Sequence, residues 1–308
     1  MRRVFIAAEK EPLVAAAFGA DMRLDGFWKL GAGRESLVGE RFFGRVRTVE
    51  RSLDAAFVEI GLARPGFLPF NRCPRTPVEG EALVVEVTRD AVEGKGVRLT
   101  ACLGEPTPPP SGASPPRRLA GEPALIRLLR KLGDLEITVD MRRLAEQLAN
   151  IEPRSRGWRV THRPRRDWLM SPAEMEAEAA SALEARVELA GGGWLLFEAC
   201  RALTVVDVNS GSSTGSAGER TWLKTDLAAA QEVARQLRLR HIGGIVVIDF
   251  INLASPARRH QVTSALRAAV AEDWEPCWVG AMSRLGLVET SRRRAGPSLA
   301  EMLGEEAP

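Results

Sequence analysis

Two apolar runs, each closed by an aspartate and separated by a helix-forming stretch, constrain this chain more than any other feature. They are Thr204-Val-Val-Asp-Val-Asn209 and Ile245-Val-Val-Ile-Asp-Phe250. A strand, helix, strand succession of this kind specifies an α/β arrangement, and adjacent strands put Asp207 and Asp249 side by side at the carboxyl edge, where ligands of such sheets bind. An ionised carboxylate buried without a partner costs several kcal/mol, so acids in such runs need a cation, a donor network or the open end of the sheet. Two neighbouring carboxylates suit a divalent cation. Magnesium takes oxygen ligands and commonly uses one or two protein carboxylates, keeping several waters for substrate phosphate. Asn209, two residues beyond Asp207, shares its face of the extended chain and can orient a water or a phosphate oxygen. The Ser210-Gly-Ser-Ser-Thr-Gly215 loop adds backbone N–H groups and hydroxyls. The alternative is that the acids merely cap loops, with Arg235 or Arg238 as a salt-bridge partner.

The amino-terminal third reads differently. Val4–Ala7 and Leu13–Ala17 are short strands separated by a charged turn, and further strands follow at close spacing: Gly44–Val49, Ala55–Ile60, Gly66–Pro69, Ala82–Thr88 and Gly96–Thr100. Five short strands punctuated by Gly and Pro predict a small closed barrel of the OB type. Alternation in Asp54-Ala-Ala-Phe-Val-Glu-Ile60 puts Phe57 on the face of Glu59, opposite Ala56, Val58 and Ile60. An exposed aromatic on such a barrel is a stacking platform for single-stranded bases, with Phe67 as a second and Arg45, Arg47 and Lys95 along the backbone track. The alternative places both phenylalanines in the core.

Between these regions the composition changes abruptly. Gly104 to Pro123 holds Pro-Thr-Pro-Pro-Pro and Ser-Pro-Pro-Arg-Arg, too proline-rich for helix or sheet, and reads as a linker. Ala124–Leu132, Met141–Ile151 and Ser171–Ala185 read as helices, the last with Ser171 as cap, Pro172 at its first position and Glu174 at its third. A meander turning at Gly191-Gly192-Gly193 leads into Ala202–Val208, Asp226 caps the helix that Gly243-Gly244 stops, and another helix surrounds Gln261–Ala271. Ser283 to Arg294 is a short strand followed by an arginine cluster, in which Arg284 and Arg292 are candidate phosphate contacts. A solvated basic tail is the alternative.

Composition narrows the function classes. Of 308 residues 45% are hydrophobic and 27% charged, which is globular rather than disordered. No apolar run approaches the roughly 18–20 residues needed to cross a bilayer, and Met1-Arg2-Arg3 leads into no secretory segment, so a cytoplasmic location without membrane association is expected. The four cysteines, Cys73, Cys102, Cys200 and Cys277, form no CxxC pair, which argues against zinc and disulfides. The positive charge is nearly all arginine, whose planar fork suits phosphate and bases. A GC-rich genome explains the same bias.

At this point four blocks resemble the ribonuclease E/G family. They are Ala55-Ala-Phe-Val-Glu-Ile-Gly61 with Gly66-Phe-Leu-Pro69; Ala202-Leu-Thr-Val-Val-Asp-Val-Asn-Ser-Gly211; Ala234-Arg-Gln-Leu-Arg-Leu-Arg-His-Ile-Gly-Gly-Ile-Val-Val-Ile-Asp-Phe250; and Ser283-Arg-Leu-Gly-Leu-Val-Glu-Thr-Ser-Arg292, in family order. The resemblance implies an α/β, multidomain chain. An RNase H-like subdomain (1–36 and 122–182) carries an inserted S1 domain of OB fold (37–100). A proline-rich linker (101–121) and a DNase I-like catalytic subdomain (183–308) complete it. It further implies hydrolysis of single-stranded RNA, rRNA or mRNA, to 5′-phosphate and 3′-hydroxyl ends. Magnesium, or alternatively manganese, is then held by Asp207 and Asp249 with Asn209 as companion, and Phe57, Phe67 and Lys95 contact RNA.

Departures from the family pattern carry their own expectations. Only the linker stands where the family has a sizeable 5′-sensor domain, so cleavage independent of the 5′ end is expected. The cysteine motif that shares zinc between protomers in longer members is absent, so any oligomer is not zinc-linked. Lys224-Thr-Asp226 stands where Asn-Thr-Asn is expected, which bears on metal affinity and activity. A non-catalytic RNA-binding or rRNA-maturation factor of the same descent is the alternative, although acids beside phosphate repel RNA and suit a binder poorly.

Overall fold

The computed structural model describes residues 1–31, 35–91, 94–101, 114–151, 157–211 and 218–305. It divides into two compact units, one of Met1–Glu35 with Leu128–Pro308 and one of Ser36–Arg127 inserted in the sequence of the first.

The first unit opens with β1 (Arg2–Ala7), β2 (Leu13–Phe18) and β3 (Leu24–Leu30), an antiparallel meander whose small Ala15, Ala16 and Ala17 are fully buried. The inserted unit follows with β4 (Arg41–Glu50), β5 (Ala55–Glu59), β6 (Gly66–Pro69), β7 (Ala82–Arg89), β8 (Arg98–Ala101) and β9 (Arg117–Arg118). Pairing runs β4-β5-β6-β8-β7 and back to β4, so five strands close into a barrel as the short, evenly spaced apolar runs predict. Ala56, Val58, Ile60, Leu68, Val85 and Leu99 fill it. The architecture is thus mixed α/β with an OB-like closed barrel.

One expectation fails here. Arg117 and Arg118, assigned to a linker, form a two-residue strand on β4, and Arg118 donates to the buried Glu40 at 2.9 Å. Arg127 also pairs with Glu40. Burial pushes this carboxyl up, but the two guanidiniums outweigh it and hold the group below the usual carboxylate range. These ties keep the chain on the barrel as far as Arg127, beyond the expected boundary at residue 100. Residues 102–113 of the expected linker lie outside the described residues.

Helix α1 (Ala124–Leu132) precedes β10 (Leu135–Val139), α2 (Arg142–Ile151) and β11 (Arg159–His162). β10 and β11 run parallel to β1, completing a five-stranded sheet in the order β11-β10-β1-β2-β3. Helix α3 (Pro172–Ser181) starts with the expected capping box, Ser171 and Glu174 satisfying each other's backbone N–H groups.

The second sheet of this unit holds β12 (Arg186–Glu188), β13 (Trp194–Ala199), β14 (Leu203–Asn209), β15 (Gly244–Asp249), β16 (Cys277–Val279) and β17 (Leu287–Arg292). Their order is β12-β13-β14-β15-β17-β16, and only β14 and β15 are parallel. Helix α4 (Gly218–Leu239) connects those two, and α5 (Pro256–Val270) and the short α6 (Leu299–Leu303) complete the unit. Asp226 does not cap α4: the helix begins eight residues earlier, at Gly218, and Asp226 lies fully buried within it. Leu195, Phe197, Val206, Val208, Val246 and Ile248 share one core with Ala230, Val233, Leu237, Val262 and Leu266. Alternate strand residues point to the other face, where they stay exposed or half-buried.

Helix α4 also ties the two sheets of the unit together. The buried Arg238 pairs with Asp25 at 2.7 Å, Arg235 donates to the Leu24 carbonyl, and Arg23 donates to Glu232 at 2.8 Å. Both arginines considered above as partners for the strand-end acids are therefore committed elsewhere.

Candidate active site

Parallel pairing of β14 with β15 sets Asp207 directly opposite Asp249. Cross-strand partners share a face, so both carboxylates project from the side not filled by α4 and α5. Asp207 is half-buried and Asp249 exposed. Among the described residues neither forms an ion pair with a base. Burial, and then the charge of Asp207, push the Asp249 carboxyl above its ordinary range. Asn209 donates from Nδ2 to Asp207 Oδ2 at 2.7 Å, which fixes its carboxamide beside the acids.

Two glycines brace the ends of these strands. Gly193 has φ +89°, and a Cβ there would stand 2.4 Å from the Asn209 carbonyl oxygen. Gly286 has φ +95°, and a Cβ there would stand 2.6 Å from the carbonyl oxygen of Phe250, the residue after Asp249. Neither backbone approach tolerates a side chain.

The donor set fits a hard divalent cation. Two adjacent carboxylates and a carboxamide oxygen are the oxygen ligands that magnesium takes, with water and phosphate filling the remaining positions. No cluster of three or more His, Cys, Asp or Glu is present among the described residues. Cys73, Cys200 and Cys277 are free thiols.

Behind the pair lies a third acid. Asp226 is fully buried; Oδ1 accepts the N–H of Ile251 at 3.1 Å, and Oδ2 has no partner among the described residues. Burial, opposed only by that hydrogen bond, pushes its pKa up to about 7.

The remaining candidates divide between the two units. In the barrel, Phe57 and Phe67 are cross-strand partners outside the core, half-buried, with ring centroids 5.8 Å apart. Arg45 is exposed on the face of Glu59, its Nη1 donating to the Gly80 carbonyl at 2.8 Å; Arg47 is exposed at a bulge in β4, and Lys95 is exposed. Arg98, absent from the expected set, stands over the Phe67 ring at 5.9 Å. Its signal was the alternation of buried Val97 and Leu99 on either side of it.

In the other unit Arg284 is exposed. Arg292 is not: its side chain is 2% accessible, pairs with Asp273 at 2.7 Å and donates to the Ile242 carbonyl at 3.0 Å. It is a structural ion pair rather than a surface phosphate contact. Of the Ser210–Gly215 loop, residues 212–215 lie outside the described residues.

A family model described as the ribonuclease E/G family matches residues 119–295, more than half of the chain. The chain belongs to the ribonuclease E/G family. Ribonuclease E of Escherichia coli is 27% identical over 399 residues, which cover 98% of this chain and 38% of that protein. Ribonuclease G of the same organism is 28% identical over 373 residues, covering 89% of this chain and 76% of that one. Over 153 residues, 49% of this chain and 22% of the relative, ribonuclease E of a Nostoc species is 40% identical. The chain thus spans under two fifths of the Escherichia coli ribonuclease E. Family membership accounts for the four sequence blocks, two of which carry Asp207, Asn209 and Asp249.

Proposed function

We propose that this protein is a divalent-metal-dependent endoribonuclease that hydrolyses single-stranded RNA, rRNA or mRNA, to 5′-phosphate and 3′-hydroxyl ends. The observation that carries the reading is the in-register pairing of Asp207 with Asp249 on an open sheet face, with Asn209 locked beside them and no basic counter-ion among the described residues. Like charges at this spacing repel one another, and a cation relieves both. A purely binding protein gains nothing from acids that repel phosphate.

In this reading Asp207 and Asp249 hold the cation, magnesium or alternatively manganese. When bound, it supplies Lewis-acid polarisation of the phosphate and activation of the attacking water. Asn209 contributes orientation. One N–H is committed to Asp207, which leaves its second N–H and its carbonyl oxygen to align a phosphate oxygen or the water. Phe57 and Phe67, with Arg98, Arg45, Arg47 and Lys95, form the single-strand track of an S1-type barrel, and Arg284 adds a phosphate contact. The subdomains outside the barrel are of RNase H and DNase I type.

Independence from the 5′ end belongs to the proposal. The alignment with Escherichia coli ribonuclease E extends over 399 positions against 308 residues here, so that relative carries internal segments without counterpart in this chain. This supports a missing 5′-sensor domain. A cytoplasmic site of action fits an RNA substrate, and no helix among the described residues is long and apolar enough to cross a membrane.

Cleavage of a 5′-labelled, A/U-rich single-stranded RNA tests the reading. Cutting that requires Mg²⁺, stops with EDTA and is lost in Asp207→Asn and Asp249→Asn is the expected result. Binding without cutting under all conditions would move the assignment to an RNA-binding factor, and strong preference for 5′-monophosphate ends would overturn 5′-end independence.

A further inference from the structure

The sheet register that pairs the two acids also sets an aromatic ring beside them. Trp194, the first residue of β13, is the direct cross-strand partner of Asn209, and Leu196 is the partner of Asp207. Trp194 therefore projects from the open face, one strand away from the acids, with partner Cβ atoms about 4.5–5.5 Å apart. Its ring edge reaches Gly211, where a Cβ would lie 3.6 Å away, so the indole lies along the strand end past Asn209. The glycine turn holds it there, because Gly193 packs its backbone on the Asn209 carbonyl.

Trp194 is half-buried yet contributes nothing to the hydrophobic core, which takes its neighbours Leu195 and Phe197 from the opposite face. Among the described residues a cation stands over its ring. The guanidinium carbon of Arg186 stands 4.2 Å from the ring centroid, and Arg186 Nε donates to Glu188 Oε1 at 2.7 Å. Arg186 is 55% accessible and belongs to the same cross-strand row as Leu196, Asp207 and Asp249, but it pairs with Glu188 rather than with the acids. A guanidinium set over an indole, open to solvent and in the cross-strand row of the two acids, is an arrangement on which a nucleobase continues a stack.

We propose that Trp194 and Arg186 form a nucleobase platform that holds the base of the nucleotide beside the scissile phosphate. The inference rests on the endoribonuclease reading and adds a base-binding subsite to it. A phosphate at Asp207, Asp249 and Asn209 carries a ribose whose base must lie to one side, and β13 offers a π-face there. Stacking accepts any base, so the platform fixes position and gives only a modest preference among bases. Trp194 is a positioning residue here; it moves no proton.

The test uses the full chain. Binding of a fluorescein-labelled, A/U-rich single-stranded RNA is measured by anisotropy in EDTA, RNA-induced quenching of tryptophan emission is recorded, and cleavage is followed in Mg²⁺. Trp194→Ala and Arg186→Ala are expected to weaken binding and raise KM, by about tenfold for Trp194→Ala, with kcat little changed. Trp194→Phe should retain most of the affinity but lose part of the RNA-induced quench. Thermal melting confirms folding of each variant, and Arg186→Ala leaves the indole in place should Trp194→Ala not fold. Unchanged affinity, KM and quench across the folded variants would overturn the platform. Binding that weakens in Trp194→Ala while the wild-type protein cuts nothing would keep the platform and remove the endoribonuclease reading, and a wild-type protein that binds no RNA would overturn both.

Discussion

Asp226 Oδ1 accepts the backbone N–H of Ile251, two residues beyond Asp249, while its other oxygen is buried without a partner among the described residues. A carboxylate so placed has lost its water and gained one donor. Its pKa rises from 3.8 to about 7, chiefly by burial. Between those values the native state binds more protons than the unfolded chain, so stability falls as pH rises through this window and levels off above it. At one pKa unit per 1.36 kcal/mol the ionised form costs on the order of 4 kcal/mol. Asp226→Asn keeps the acceptor and cannot ionise. Urea unfolding should find this variant more stable than wild type at pH 8 and nearly equal at pH 4; a difference independent of pH would remove the burial argument.

The cation site makes a second prediction, on stability rather than activity. Asp249 is raised by burial and by Asp207, so the two acids strain each other without a cation. In EDTA at pH 7, Asp249→Asn should melt at or above the wild-type temperature. With Mg²⁺ the order should reverse, because only wild type gains from binding, by about 2.7 kcal/mol at a hundredfold excess over Kd. Equal melting shifts with Mg²⁺ in both proteins would place the cation elsewhere.

What the sequence disclosed, and what it hid, follows from the range of the forces involved. The placement of Asp207 beside Asp249, with Asn209 on the same face, was legible because each acid ends an apolar strand of a strand, helix, strand unit. Phe57 was legible from alternation alone. Asp226 was misplaced because aspartate is a favoured cap and the two turns before it, Gly218–Thr225, are largely polar. The β9 pairing of Arg117 and Arg118 was hidden by flanking prolines, since a two-residue strand depends wholly on its partner. As a candidate phosphate contact Arg292 was misassigned: Val288, Thr290 and Arg292 alternate into the buried face, where Asp273 pairs with the guanidinium.

Between the two sheets of the larger unit, Asp25 accepts from Arg238 at 2.8 Å and from Arg2 at 3.2 Å with little solvent access. Removing one member strands a buried charge. Asp25→Ala should therefore cost about 3–5 kcal/mol, against about 0–1 kcal/mol for Glu136→Ala, which disrupts the exposed pair with Arg3. Chemical denaturation of both variants checks the contrast, and comparable small losses would mean that Arg238 finds water or another acceptor.

Phe57 and Phe67 meet edge to face at 5.8 Å, outside the barrel core that Ala56, Val58 and Leu68 form. Rings placed this way contribute little to folding but present π-faces to single-stranded bases, each stacked base adding about 1–3 kcal/mol to binding. Phe57→Ala is expected to leave the melting temperature nearly unchanged and to weaken single-stranded RNA binding about tenfold or more. Arg98→Ala, which removes the cation 5.9 Å from the Phe67 ring, should give a smaller loss that shrinks as salt rises. The diagnostic combination is affinity and melting measured on the same sample. Lost affinity with an intact fold identifies a platform, whereas a large drop in melting temperature for Phe57→Ala would return both rings to the core.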